Sequence, residues 1–349
     1  MAGKQGGRQD PTGGAAEAPL AALLRLVNGF QVSQAISVAA TLGIADLLKD
    51  GARSSDDLAG ATGTHPRSLY RLLRALASVG VLQELAGHRF ALTPMGECLR
   101  SDSPQPVGPW AAFIGAPPLW QAWGNLLHSI RTGENAFRYT HGTDPWTFRA
   151  RDAAAGALFD RAMTALSTSV AQGVLDAFDF GPFACIVDVG GGHGALLAAI
   201  LTAYPAAGGI LFDQPHVVAG AQAVLCAAGV ADRCRIVGGS FFEAVPGGGD
   251  AYVLKSIIHD WEDEPSIAIL RQCRRAMGDQ GRLLVIEREL LPPNEGPETK
   301  FSDLNMLVGP MGQERTTDEY AALYAPAGFR LLHVHRAAGG WCVFEGIPV

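Results

Sequence analysis

The segment Asp188-Val189-Gly190-Gly191-Gly192-His193-Gly194 constrains this chain most, because it joins an apolar run to an apolar helix through a glycine-rich turn. The run before it, 184–189, is nearly continuous in apolar residues, as a strand covered on both faces must be. Residues 195–203 after it read as a helix. Glycines at such a junction let the backbone turn tightly and approach a ligand at the start of the helix. Beyond it the pattern alternates: strand 209–212, helix 216–228, strand 234–237, strand 250–254, helix 264–277 and strand 281–287. That order predicts an α/β fold with a doubly wound, Rossmann-like parallel sheet. Two late apolar segments, 329–335 and 341–346, lack a long helix between them and are expected to form an antiparallel hairpin at one edge.

Asp213 ends the second predicted strand, about twenty residues beyond the turn, where a carboxylate can accept hydrogen bonds from ribose hydroxyls. An adenosine-containing cofactor is therefore expected. Gly190, Gly192 and Ala195 also satisfy the looser dinucleotide pattern, so the turn alone leaves NAD and S-adenosylmethionine both open.

At 349 residues the chain exceeds what one core commonly holds, so a second domain is expected. Residues 1–19 read as a mobile Gly-, Ala- and Gln-rich tail without the apolar stretch of a secretory signal. From 20 to 49 the helical spacing of Leu23, Leu24, Val27, Phe30, Val38, Leu42, Leu47 and Leu48 predicts two helices broken near Gly43. Ser54 and Ser55 start another helix, with a turn at 60–63; His65-Pro66 opens one over 68–78, stopped by Gly80. Residues 81–85 and 89–93 read as a hairpin, so 20–100 forms an α-helical winged-helix domain. Residues 101–180 read as a helical linker contributing to a substrate pocket, and 181–349 as the cofactor-binding domain.

Composition narrows the partners. No apolar run approaches the ~18 residues of a membrane span, and a net charge of −7 offers no general attraction for a phosphate backbone. Neither membrane nor nucleic acid is expected, and six scattered cysteines without a CxxC pair read as buried thiols in a reducing cytoplasm. Arg67, Arg71 and Arg74 are the residues a winged-helix, ligand-sensing regulator would use; a solvated basic helix face is the preferred reading.

Several motifs occur together in order: IVDVGGGHG (186–194), FDQPH (212–216), GGSFF (238–242), DAYVLKSIIHDW (250–261), Glu287 and QERT (313–316). With this set the chain, over roughly residues 20–349, resembles the small-molecule O-methyltransferases, the family of plant caffeic-acid-type and bacterial polyketide and phenazine enzymes. The resemblance implies S-adenosyl-L-methionine as cofactor, an N-terminal domain that makes a homodimer, and a small aromatic or polyketide-type acceptor. It puts Gly190 and Gly192 against the methionine part of the cofactor, Asp213 on its ribose, Ser240, Phe241 and Lys255 around the adenine, and Ser167 near the methionine carboxylate. Plant relatives usually carry Asp where Ser240 stands, which bears on cofactor affinity.

The resemblance also implies a general base, His259, flanked by Glu287 and Glu314. His259 follows the fourth predicted strand at its carboxyl end, where open α/β sheets bind ligands. A phenol with pKa near ~10 and a histidine near ~6.5 exchange a proton at a cost of about 5 kcal/mol, which adjacent carboxylates reduce by stabilising imidazolium. Asp260 is read either as a substrate contact or as the cap of the following helix, and Trp261, Met163, Met306 and Met311 as candidate pocket walls or core. No metal is expected, since no predicted strand end carries an Asp/Asn cluster suited to Mg2+. The rival readings are a NAD-dependent oxidoreductase and a decarboxylase or hydroxylase built on the same cofactor site.

Overall fold

The computed structural model describes residues 18–349, so the tail expected over 1–19 lies outside the described residues except at its end, where Pro19 opens a helix. Helices α1 (Pro19–Val27), α2 (Gly29–Thr41) and α3 (Ile44–Leu48) replace the two expected, because the chain breaks at Asn28 as well as at Gly43. Helix α4 (Ser55–Thr62) is capped by the Ser54 hydroxyl, which accepts the Asp57 N–H at 3.1 Å. It runs through the turn expected at 60–63 and ends at Gly63, whose φ of 63° suits a residue without Cβ. Helix α5 (Pro66–Ser78) buries Leu69, Leu73 and Leu76 and leaves Arg67, Arg71 and Arg74 exposed. Strands β1 (Arg53–Ser54), β2 (Leu82–Leu85) and β3 (Arg89–Leu92) complete the wing as a small antiparallel sheet in the order β1-β3-β2.

Short helices then lead from Gly108 to Arg151 and into the 25-residue helix Ala153–Ala177, which packs on the main sheet's first helix. That sheet has seven strands: β4 (Cys185–Val189), β5 (Gly208–Asp213), β6 (Cys234–Gly238), β7 (Ala251–Lys255), β8 (Arg282–Arg288), β9 (Phe329–Arg336) and β10 (Trp341–Pro348). Their order is β6-β5-β4-β7-β8-β10-β9, parallel through β8, with β10 antiparallel to both β8 and β9. Alternate residues serve opposite cores: Ile186 and Val253 pack on one face, Val187 and Tyr252 on the other. Coverage of both faces is why these strands are continuous in apolar residues. Strand order reverses between β4 and β7, so a crevice opens beyond their carboxyl ends.

The helix expected over 216–228 is split into Pro215–Val218 and Ala221–Ala227. A Cβ at Gly220 would lie 2.6 Å from the His193 imidazole, so the break lets that ring approach the backbone. Two of the cysteines expected to be buried, Cys98 and Cys226, are exposed, because each sits on the outward side of its segment. Among the described residues no helix is long and apolar enough to cross a membrane.

Candidate functional site

The glycine turn and Asp213 form one unit. Gly190 has φ 72° and Gly192 φ 59°, and a Cβ at Gly190 would sit 2.4 Å from Ile257 while one at Gly192 would meet open space. Asp213, at the end of β5, accepts the Gly192 N–H at 2.8 Å and the Gln214 N–H at 2.6 Å. Burial raises its carboxyl above the usual range, against the pull of those two N–H groups. Beneath the turn, burial pushes Asp188 up to about 7, and its Oδ2 has no partner.

A cavity of ≈1300 Å³ runs from this turn to His259. That exceeds the roughly 300–1,000 Å³ of a single small-ligand site and leaves room for two occupants. Ser167, Ser240, Phe241 and Lys255 line it. The Lys255 ammonium donates to Ser256 Oγ at 2.9 Å and lies 5.4 Å over the Trp341 ring, and burial lowers its pKa.

His259 stands in the short turn Ile258–Asp260 that follows β7 at the switch point. Glu287, on β8, is fully buried; its Oε1 accepts the N–H groups of Ile257 and Ile258 at 2.9 Å and of His259 at 3.3 Å, which shapes the turn. Its Oε2 lies 3.4 Å from His259 Nδ1. Glu314 Oε1 is closer, 3.0 Å from Nδ1, and also accepts the Ser302 hydroxyl at 2.7 Å. Both carboxylates therefore approach Nδ1, while Nε2 is 3.6 Å from Asp260 Oδ1.

These charges decide where protons reside. Burial opposes imidazolium, but Glu287, Glu314 and Asp260 outweigh it and raise His259 to about 10. Burial pushes Glu287 up to about 7 and Asp260 up to about 6. Glu314 is also subject to burial, yet His259 and Ser302 hold it below the usual carboxylate range. Ligand atoms of His259, Glu287 and Glu314 lie within 4.8 Å of one another, as a metal site would require. At 3.0 Å from Glu314 Oε1, however, Nδ1 has the spacing of a proton donor, and a metal there would have to replace that proton.

Asp260 does not cap the next helix; the cap position of Asp263–Ala276 is Glu262, and Asp260 instead lines the cavity beside His259. Trp261, Met163, Met306 and Met311 also line it, and Met311 has φ 81°, unusual for a side chain of its size. Arg315, 1% exposed, is a residue whose role the sequence left unassigned although QERT contains it. It donates to the carbonyls of Ile258 at 3.2 Å and Trp261 at 2.8 Å and pairs with Asp263 at 2.8 Å, tying the Glu314 loop to the His259 turn. His193 Nδ1 is 3.3 Å from Thr164 Oγ1, and His335 pairs with Glu345 at 3.0 Å away from the cavity.

The O-methyltransferase domain family matches residues 123–330, and the O-methyltransferase dimerisation domain matches 24–102. Phenazine O-methyltransferase PhzM of Lysobacter antibioticus is 44% identical over 328 residues, spanning 94% of this chain and 96% of the relative. Mitomycin biosynthesis 6-O-methyltransferase of Streptomyces lavendulae is 42% identical over 308 residues, 88% of each. The crystal structure of LaPhzM superposes with a TM-score of 0.91 at 44% identity, over 95% of this chain and 100% of that one. That of NcsB1, an O-methyltransferase from neocarzinostatin biosynthesis in complex with S-adenosylmethionine and 2-hydroxy-5-methyl naphthoic acid, gives 0.77 at 34% identity, over 96% and 100%. Aclacinomycin 10-hydroxylase RdmB of Streptomyces purpurascens, 35% identical over 88% of this chain and 84% of its own length, shows that relatives also perform other chemistry. Matched along nearly its whole length in sequence, domains and fold, the chain belongs to the O-methyltransferase family.

Proposed function

We propose that this chain methylates a hydroxyl of a small aromatic or polyketide-type metabolite with S-adenosylmethionine, His259 acting as general base with Glu287 and Glu314 behind it. The observation that carries this reading is the 3.0 Å Nδ1 to Glu314 contact, which engages Nδ1 and leaves Nε2, 3.6 Å from Asp260, as the free nitrogen of a residue that lines the same cavity as the glycine turn. S-adenosylmethionine supplies, when bound, an electrophilic methyl group on a sulfonium. The residues fit that group: Asp213 retains lone pairs for ribose hydroxyls, the orphaned Asp188 Oδ2 lies under the turn, and Ser240, Phe241 and Lys255 offer an amphipathic wall. Ser167, on the long helix, offers a hydroxyl for the methionine carboxylate. His259 then takes the acceptor proton at Nε2 while Glu314 keeps Nδ1 protonated. Trp261, Met163, Met306 and Met311 hold the acceptor ring and exclude water, and positioning of this kind is worth about 7–11 kcal/mol.

Calorimetry with S-adenosylmethionine and NAD in separate titrations tests the cofactor, and a labelled-methyl screen over phenols tests the reaction. S-adenosylmethionine alone should bind, and label should appear on oxygen. Tight binding of NAD alone would overturn the reading, and cofactor binding with oxygenated or decarboxylated products would favour the hydroxylase or decarboxylase alternative.

A homodimer through the N-terminal module is supported by α1, which buries none of its own residues and exposes Leu20, Leu23, Leu24, Leu26 and Val27. Water does not tolerate a contiguous apolar face of that kind without a partner. Sedimentation should give a dimer for the native chain and a monomer for Leu23→Glu/Leu24→Glu. A dimer in the double variant at micromolar concentration would move the interface elsewhere.

A further inference from the structure

Arg149 carries a positive charge that the proposed reaction does not use and that, among the described residues, no carboxylate pairs. It lies on the helix Pro145–Arg151 and lines the cavity. Its guanidinium is laid over three rings, 3.7 Å from the Phe159 centroid, 5.0 Å from Trp146 and 5.6 Å from Phe113. Among the described residues it makes no ion pair and donates no side-chain hydrogen bond, and Nη1 is buried without a partner. The side chain as a whole is half-buried in the cavity wall. Burial lowers its pKa to about 10, although Asp260, Asp160 and Asp144 draw it the other way from beyond contact distance.

An arginine in this position retains a planar fork of donors that no protein group fills. The rings hold the cation by their π faces and offer it no hydrogen-bond acceptor. Arg149 lies near the His259 end of the cavity: Trp146, three residues earlier on the same helix, stacks at 6.0 Å and 20° on Trp261, which adjoins the His259 turn. The part of the guanidinium that is not sealed among the rings faces the cavity without a counter-charge in contact, and a carboxylate is the partner that matches its charge and planar geometry.

We propose that Arg149 reads a carboxylate on the ring system of the methyl acceptor, so that the acceptors of this enzyme are hydroxylated aromatic acids. This rests on the methyltransferase reading above and adds the class of acceptor to it. The guanidinium then fixes the ring by its acid group while a hydroxyl elsewhere on the ring faces His259, which makes Arg149 a determinant of both affinity and regiochemistry.

The test is calorimetry on the full-length protein with S-adenosylhomocysteine present, using 3-hydroxy-2-naphthoate and 3-hydroxybenzoate against their carboxamides. Each acid should bind about tenfold to hundredfold more tightly than its amide. Arg149→Gln should abolish that preference while leaving amide and S-adenosylhomocysteine affinities within about twofold, and Arg149→Lys should keep part of it, since charge survives without the fork. Equal binding of acid and amide by the native protein, or no binding of either acid, overturns the proposal without recourse to any variant. So does an Arg149→Gln protein that weakens acids, amides and S-adenosylhomocysteine alike, which would make the residue a packing element or a contact of the cofactor. Methyl transfer to phenols with no acid preference would sink this proposal and leave the methyltransferase reading intact. Acid-selective binding without methyl transfer to any phenol would do the reverse.

Discussion

Replacing His259 with Ala should lower kcat by about 10²- to 10⁴-fold and leave S-adenosylmethionine affinity within about twofold. The expectation follows from proton arithmetic. An unperturbed histidine near ~6.5 faces a phenol near ~10 at a deficit of about 5 kcal/mol. With Glu287, Glu314 and Asp260 around it, His259 is raised to about 10, so the two groups become matched. The same match means that the free site holds its imidazolium proton through neutral pH. The reactive state is the phenolate beside imidazolium, which forms once the site gives one proton to solvent. Attraction within that pair lowers the pH at which phenolate appears, so kcat, which reports the bound complex, should rise with pH and level off below the free phenol's pKa. In His259→Ala the rise should continue to the pKa of the phenol itself, near ~10. Near-normal turnover with an unchanged profile would remove His259 from the mechanism and leave proximity as the main catalyst.

How far these features could be read from the sequence depends on where each is determined. The glycine turn, the helix after it and Asp213 were legible because local chain geometry fixes them: a strand covered on both faces must be apolar, and the helix 195–203 was placed as observed. The helices Pro297–Val308 and Thr317–Tyr324 went unassigned, although the second announces itself by a capping box, the Thr316 hydroxyl receiving the Glu319 N–H and the Glu319 carboxylate receiving the Thr316 N–H. The split at Gly220 was not legible, since the ring that approaches the backbone there comes from a distant turn. The link between His259 and Glu314, 55 residues apart in sequence, came only from resemblance. What brings the two together is Arg315, whose guanidinium reaches backbone carbonyls across the loop, a contact with no local pattern. Arg149 was hidden differently: it drew no reading from the sequence, because nothing local marks an arginine that turns inward among aromatic residues.

Exchanging Glu314 for Gln, an isosteric change, should cost about 10²- to 10⁴-fold in kcat, because it attacks the tautomer rather than the ring. Oε1 of Glu314 receives two donors at once, the His259 Nδ1–H at 3.0 Å and the Ser302 hydroxyl at 2.7 Å, and its negative charge is what makes the double acceptance favourable. A glutamine that keeps its carbonyl in that place loses the charge that stabilises imidazolium and puts an amide nitrogen where Oε2 is now buried without a partner. An orphaned amide of that kind costs about 1–3 kcal/mol of stability. A glutamine turned the other way donates to Nδ1, moves the ring proton to Nε2 and leaves no lone pair to accept the phenol proton. Either orientation should also move the rise of kcat to higher pH, since imidazolium beside phenolate is less stable once the carboxylate charge is gone. Ser302→Ala removes one neutral donor and leaves the charge, so its effect should stay within about tenfold. A Glu314→Gln enzyme with an unshifted pH profile would mean that the carboxylate only holds its loop in place, and that Glu287, 3.4 Å from the same nitrogen, orients the base alone.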